Sequence, residues 1–262
     1  MFVDTHCHLN FADFKTDLDE VIKRAIDNGV EKIICASSNV SDSQKAVEIA
    51  KKYKGIVFAS VGIHPQKTDP ENSFSVQKQI EIIRNLVCKK EVVAIGECGL
   101  DYSPAPPPEK DRTKEEQYFL FEEQIKIALE FKKPIIVHVR KAFEDTISIL
   151  KKYSKENLKG VFHCYSGGKK GIPLVNDLGF YFGIDGNITY DEGLQNIVKM
   201  ISFEKILFET DSPFLTPIPY RGERNEPSNI LLIAKCIAEV KNESFENVLD
   251  KVSNNTKLCF KI

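Results

Sequence analysis

The sequence predicts a single α/β domain spanning residues 1–262, folded as a (β/α)8 barrel of the TIM type, and three observations carry that reading. Short apolar runs of strand type occur eight times along the chain. Stretches with apolar residues three and four apart separate them, and 262 residues is a length that one such barrel commonly uses. Strand and helix in alternation imply parallel pairing through right-handed crossovers, and eight units close a barrel. A doubly wound open sheet is the alternative built from the same alternation.

Taken in order, "MFVDTHCH" opens the chain and a helical pattern follows at 17–28; "KIICAS" precedes a second at 41–53, and "IVFASVGIH" a third at 73–88. The fourth run, "VVAIGECGLD", leads into "YSPAPPPEKDRTKEEQ" at 102–117. Four prolines in the five positions 104–108 exclude both helix and strand there, so the segment reads as a long loop. A helix is expected over 113–132, then "PIIVHV" and a helix at 142–153, then "GVFHCYS" and "FYFGID", a helix at 191–200, and "KILFETD" as the eighth strand. The closing "ESFENVLDKVSNNTKLCF" reads as a helix or helix pair capping the barrel, with Phe245, Val248, Leu249 and Val252 at core-packing spacing.

Composition sets the outer bounds. With 42% hydrophobic and 28% charged residues the chain can bury a sizeable core. Its formal net charge of -2 provides no broad basic footprint, so a nucleic-acid partner would be gripped locally. Seven cysteines without a C-x-x-C pair do not make a disulfide framework. No signal-type opening and no apolar run of membrane-spanning length is visible, which makes the cytoplasm the expected compartment and a membrane partner unexpected. No obligate protein partner is evident, and a monomer is compatible with everything above.

The chemistry gathers at strand ends. The chain has five histidines, His6, His8, His64, His138 and His163, and each falls at the downstream end of an apolar run. In a strand, residues i and i+2 share a face, so His6 and His8 aim both imidazoles at one point while Cys7 turns away. If the runs are parallel barrel strands, all five histidines stand on the C-terminal rim, where barrel active sites are built. Glu97 and Asp211 close the fourth and eighth runs. An ionised carboxylate after such apolar residues needs a partner, and a divalent cation supplies one. Four histidine ligands, a bridging carboxylate and a terminal carboxylate suffice for a two-metal centre.

The motifs "DTHCHL", "VGIHP", "IGECGLDY", "PIIVHVR", "GVFHCYSGG", "ETDSPFLTP" and "RGERNEP", in that order over nearly the whole chain, resemble the TatD family of metal-dependent hydrolases within the amidohydrolase-like barrel superfamily. The resemblance implies a distorted (β/α)8 barrel, two divalent metal ions and deoxyribonuclease activity. By motif it implies that His6 and His8 hold a first metal that Asp211 completes, that Glu97 bridges, and that His138 and His163 hold the second. It leaves Mg, Mn or Zn open as the metal.

With two cations to lower the pKa of a water, Asp211 could accept its proton and pass it to the leaving oxygen, so Glu97 and Asp211 are the catalytic candidates. Substrate candidates are Arg140 and Arg221, with Arg224, as strand-end guanidinium groups for phosphate; His64 for a phosphate or base; and Tyr102 for base stacking. Asp101 is expected to orient a ligand histidine or a loop. Cys7, Cys98 and Cys164 each follow a ligand by one residue and are expected to face outward as packing residues. The function expected is phosphodiester hydrolysis at DNA ends, with exonucleolytic trimming. The alternative is another ester or amide on the same metals, such as an aminoacyl-tRNA deacylase. A non-enzymatic scaffold would show missing ligands, and none is missing.

Overall fold

The computed structural model describes residues 2–67, 75–105 and 112–262. Prolines 106–108 and the start of the 73–88 segment lie outside the described residues. Eight strands run β1 (Phe2–Cys7), β2 (Val30–Cys35), β3 (Val57–Val61), β4 (Val92–Asp101), β5 (Ile135–Arg140), β6 (Gly160–Phe162), β7 (Tyr181–Ile184) and β8 (Ile206–Phe208). Each pairs in parallel with the next, in sequence order around one sheet. The two ends of that sheet meet along β1, the end of β8 and the residues that follow them. Thr5 Oγ1 donates to Phe208 O at 2.9 Å, the Asp211 N–H to His6 O at 2.9 Å, and the His8 N–H to Ser212 O at 2.7 Å. This is the barrel the strand count predicts, and an open doubly wound sheet is excluded.

The helices lie outside: α1 (Leu18–Asp27), α2 (Val40–Lys52), α3 (Val76–Val87), α4 (Lys114–Phe131), α5 (Phe143–Lys152), α6 (Gly168–Asp177), α7 (Glu192–Val198), α8 (Ile230–Lys241) and α9 (Phe245–Phe260). The predicted 102–117 loop ends early because Thr113 and Glu116 form a reciprocal capping box that starts α4 at Lys114. Two helices escape the periodicity reading. Gly168, Gly171 and Pro173 disguise α6, and α8 is apolar over so much of its circumference, in "ILLIAKCIA", that no clean stripe stands out.

Two apolar layers hold the fold. Between sheet and helices lie residues such as Ile33, Val61, Ile95, Phe121, Phe162, Phe182 and Ile237. Inside the barrel, Ile34, Ala94, Ile136, Val161 and Leu207 pack together with Cys259 and Phe260 from the end of α9, which plugs the floor. Polar side chains are thereby left to the opposite, C-terminal mouth. No described helix is long and apolar enough to cross a membrane.

Candidate metal centre

The mouth of the barrel collects every histidine of the chain. His6 lies within β1 and His8 just beyond it, with Nε2 atoms 3.3 Å apart, so the H-x-H alternation acts as predicted. Glu97 comes from β4, and its two oxygens divide the work. Oε2 stands 3.6 Å from His6 Nε2 and 3.7 Å from His8 Nε2. Oε1 stands 2.6 Å from His138 Nδ1, 3.1 Å from His163 Nε2 and 3.7 Å from His64 Nε2. Asp211, in the left-handed region beyond β8, brings Oδ1 to 3.5 Å from His6 and 3.3 Å from His8. The structure therefore brings all six predicted ligands together, and His6, His8 and Glu97 on one side, with Glu97, His138 and His163 on the other, could each hold a metal ion.

The local backbone makes this proximity possible. Gly99 has φ +145°, and a Cβ there would sit 2.0 Å from His138 O, so β4 can pass β5 at ligand height only with glycine at that position. Around the ligands, hydrogen bonds choose which imidazole nitrogen faces inward. His8 Nδ1 lies 3.2 Å from Ala36 O, which makes it the protonated nitrogen and leaves Nε2 free. His138 Nε2 lies 3.1 Å from Asp101 Oδ2, presenting Nδ1 to Glu97; Asp101 thus stands where it orients a histidine. His163 Nδ1 lies 3.6 Å from Glu209 Oε1. Glu209 is fully buried, and its Oε1 accepts the Cys164 N–H at 2.5 Å. Sequence reasoning missed it, although "ETD" places Glu209 and Asp211 on alternate positions just as H-x-H does.

Electrostatics follow from burial and from these contacts. Burial would raise the Glu97 carboxyl, but His163 and His138 hold it well below the usual carboxylate range. Burial would lower His163, yet Glu97 and Glu209 hold it well above the ordinary imidazole value; burial is likewise outweighed at His8 by Asp211 and at His138 by Asp101 and Glu97, and both are raised. Burial and the neighbouring His163 push His6 down to about 4. Burial and His138 push His64 down to about 3, so it is neutral. Its Nδ1 accepts the Gln66 N–H at 3.0 Å, which places its proton on the Nε2 that faces Glu97.

A cavity of about 620 Å³ opens over the cluster, lined among others by His64, Lys67, Arg140, Phe11, Phe214 and Leu215. Three predicted substrate contacts do not reach it. Tyr102 donates its hydroxyl to Asp145 Oδ2 at 2.6 Å, with Lys114 Nζ 3.9 Å over its ring, so its face and its hydroxyl are both engaged on the outer layer. Arg221 stacks its guanidinium 4.2 Å over Tyr190. Arg224 makes two bonds to Asp17, at 2.9 and 2.6 Å, and one to Glu226, so it tethers the loop after β8 to the α1 region. Cys7 and Cys98 are fully buried behind the ligands as expected. Cys164 is a correction: β6 ends at Phe162, and a left-handed φ of +45° at Cys164 breaks the alternation and turns this residue to the cavity wall.

Comparison with known proteins places this geometry. The family model described as TatD related DNase matches residues 3–261. YabD of Bacillus subtilis, named as an uncharacterized metal-dependent hydrolase, is 37% identical over the full length of both chains. Human TATDN3, named as a deoxyribonuclease, is 33% identical over 98% of this chain and 94% of its own. Among solved structures, the TatD homologue YjjV of Escherichia coli superposes with a TM-score of 0.89 over 100% of this chain and 98% of its own, at 27% identity. A full-length family match, over a barrel whose mouth holds four histidines around one split carboxylate, makes the chain a member of the TatD family of metal-dependent hydrolases.

Proposed function

We propose that the chain is a two-metal phosphodiesterase that trims DNA ends. The observation that carries this reading is the division of Glu97, one oxygen to the His6–His8 pair and the other to His138 and His163. The donor set suits the group. Nitrogen and carboxylate oxygen donors converge in a buried pocket, with the His8 and His138 tautomers set by Ala36 O and Asp101, as divalent cations require. In this reading His6, His8 and Asp211 hold one cation, His138 and His163 the other, and Glu97 both. When bound, the cations neutralise charge on the attacked phosphate and lower the pKa of the attacking water.

The remaining work belongs to side chains. Asp211, which His8 and His163 keep ionised against its burial, takes the proton of the water and delivers it to the leaving oxygen. Neutral His64 offers Nε2–H to a phosphate oxygen, and Arg140 at the cavity edge offers a guanidinium. The deoxyribonuclease name of human TATDN3 supports DNA as the substrate. The test is end-labelled single-stranded DNA, RNA and an aminoacyl-tRNA assayed side by side with Mg, Mn and Zn. Stepwise shortening of DNA is expected, and Arg140→Ala should raise KM or lower kcat about tenfold or more with metal content unchanged. Hydrolysis of the aminoacyl ester without DNA cleavage would overturn the nuclease reading.

A further inference from the structure

We propose that Asp4 is a positioning residue of the metal centre: it holds no metal itself, but locks Thr210 and His6 together so that Asp211 meets the His6–His8 pair. The inference rests on the two-metal reading and deepens it. Asp4 precedes His6 by two positions on β1, so the alternation that pairs His6 with His8 continues one step deeper into the barrel, to a carboxyl group. That group is fully buried, and a carboxyl withdrawn from water needs partners.

The partners come from both ends of the sheet. Asp4 Oδ1 accepts the Thr210 N–H at 3.0 Å and the His6 N–H at 3.2 Å, and Oδ2 accepts the Thr210 hydroxyl at 2.5 Å. Both oxygens are committed to protein donors, and among the described residues the clusters able to hold a metal ion do not include Asp4. Thr210 is engaged at every polar atom. Its carbonyl accepts Asn225 Nδ2 at 2.9 Å, and its hydroxyl oxygen accepts the Ser212 N–H at 3.2 Å and lies 2.7 Å from Ser212 Oγ. Asn225 and Ser212 are themselves fully buried.

The residue between Thr210 and Ser212 is Asp211. Its φ of +53° lies in the left-handed region, which a side chain adopts at a cost and keeps only where its surroundings over-determine it. Asp4 supplies that constraint through Thr210, which in turn holds Ser212. Fixed on both sides, Asp211 presents Oδ1 at 3.5 Å from His6 Nε2 and 3.3 Å from His8 Nε2. The same carboxyl group anchors the His6 backbone, so one buried side chain sets two ligands that reach the site from opposite ends of the sheet. His138 and His163 come from β5 and the end of β6, away from this clamp. Loosening it should therefore disturb one half of the centre and spare the other.

Thr210→Val keeps the shape of the side chain and removes the hydroxyl, whereas Thr210→Ser keeps the hydroxyl. Metal-free protein is titrated with Mn²⁺, and the free ion is counted by its electron paramagnetic resonance signal. The wild type should bind two ions. Thr210→Val and Asp4→Ala should weaken one of them roughly 10- to 100-fold, the range that loss of a contact behind a ligand spans, and Thr210→Ser should stay within about threefold of wild type. The loss should persist in a His138→Ala background, which disables the half that Asp4 does not support. Should Asp4→Ala fail to fold, the two Thr210 variants carry the same test. A Thr210→Val protein that melts at lower temperature yet binds both ions as tightly as wild type would overturn the positioning role and leave the two-metal reading intact. So would a loss that disappears in the His138→Ala background. A wild type that takes up no Mn²⁺, or only one ion, would instead overturn the two-metal reading, and the role of Asp4 with it.

Discussion

At the residue scale, the cluster works because protons and metal ions want the same nitrogens. His8, His138 and His163 carry raised pKa values in the metal-free protein, because the carboxylates that face them outweigh burial. A ligand imidazole must be neutral, so a metal ion has to displace those protons. Metal loading should release protons into a weakly buffered indicator solution, and apparent affinity should fall as pH drops through the raised imidazole range, flattening once the pH exceeds it. Affinity that stays constant from pH 6 to 9 would contradict this. Glu97→Ala should go further and weaken both metals together, since the two Glu97 oxygens face the two histidine pairs; metal analysis showing full occupancy and normal turnover would remove its bridging role. Cys7→Ala and Cys98→Ala should each cost about 1–2 kcal/mol in denaturant unfolding while turnover per folded molecule is kept, because both thiols are buried behind the ligands. The six candidate ligands were legible in the sequence: a strand's period of two aims H-x-H, and the family motifs single out Glu97, His138, His163 and Asp211. Glu209 was not, because its place beside His163 and Cys164 depends on a neighbouring strand end.

At the element scale, boundaries were readable wherever side chains themselves set them. The fourth run "VVAIGECGLD" coincides with β4, and the capping pair Thr113 and Glu116 places the start of α4. α6 was unreadable because its two glycines and its proline argue locally against a helix that tertiary packing of Ile172 and Val175 nevertheless stabilises. Cys164 was misplaced for a related reason, since a single left-handed residue ends the alternation that the sequence reading extrapolates. The close passage of β4 along β5 yields a prediction at this scale. Gly99→Ala demands both a positive φ from alanine and displacement of the His138 carbonyl, so metal content should drop even in protein that circular dichroism reports as folded. Retained stoichiometry in that variant would show the pair of strands to be more compliant than the contact distance implies.

At the scale of the whole molecule, stability and chemistry occupy opposite ends of the barrel. The floor is apolar, sealed by Phe260 at 3% exposure against the inward residues of several strands, and the mouth carries the polar cluster. Phe260→Ala should therefore cost about 3–5 kcal/mol in thermal or denaturant unfolding, yet leave metal stoichiometry unchanged in the folded fraction. Loss of metal without loss of stability would invert that division. The barrel as such was legible from alternation and count, since each strand–helix unit declares itself locally. What the count could not show is which long-range tethers hold the mouth, such as Arg224 joining the loop after β8 to Asp17.

The junction of the first and last strands has a consequence for synthesis of the chain. His6 and His8 are made about two hundred residues before Asp211 and its loop, which bond to them. A ribosome-bound fragment lacking β8 has histidines but no completed seam, so a partly made chain cannot carry a working hydrolytic centre. The candidate metal site is thus complete only when the two ends of the sheet have found each other.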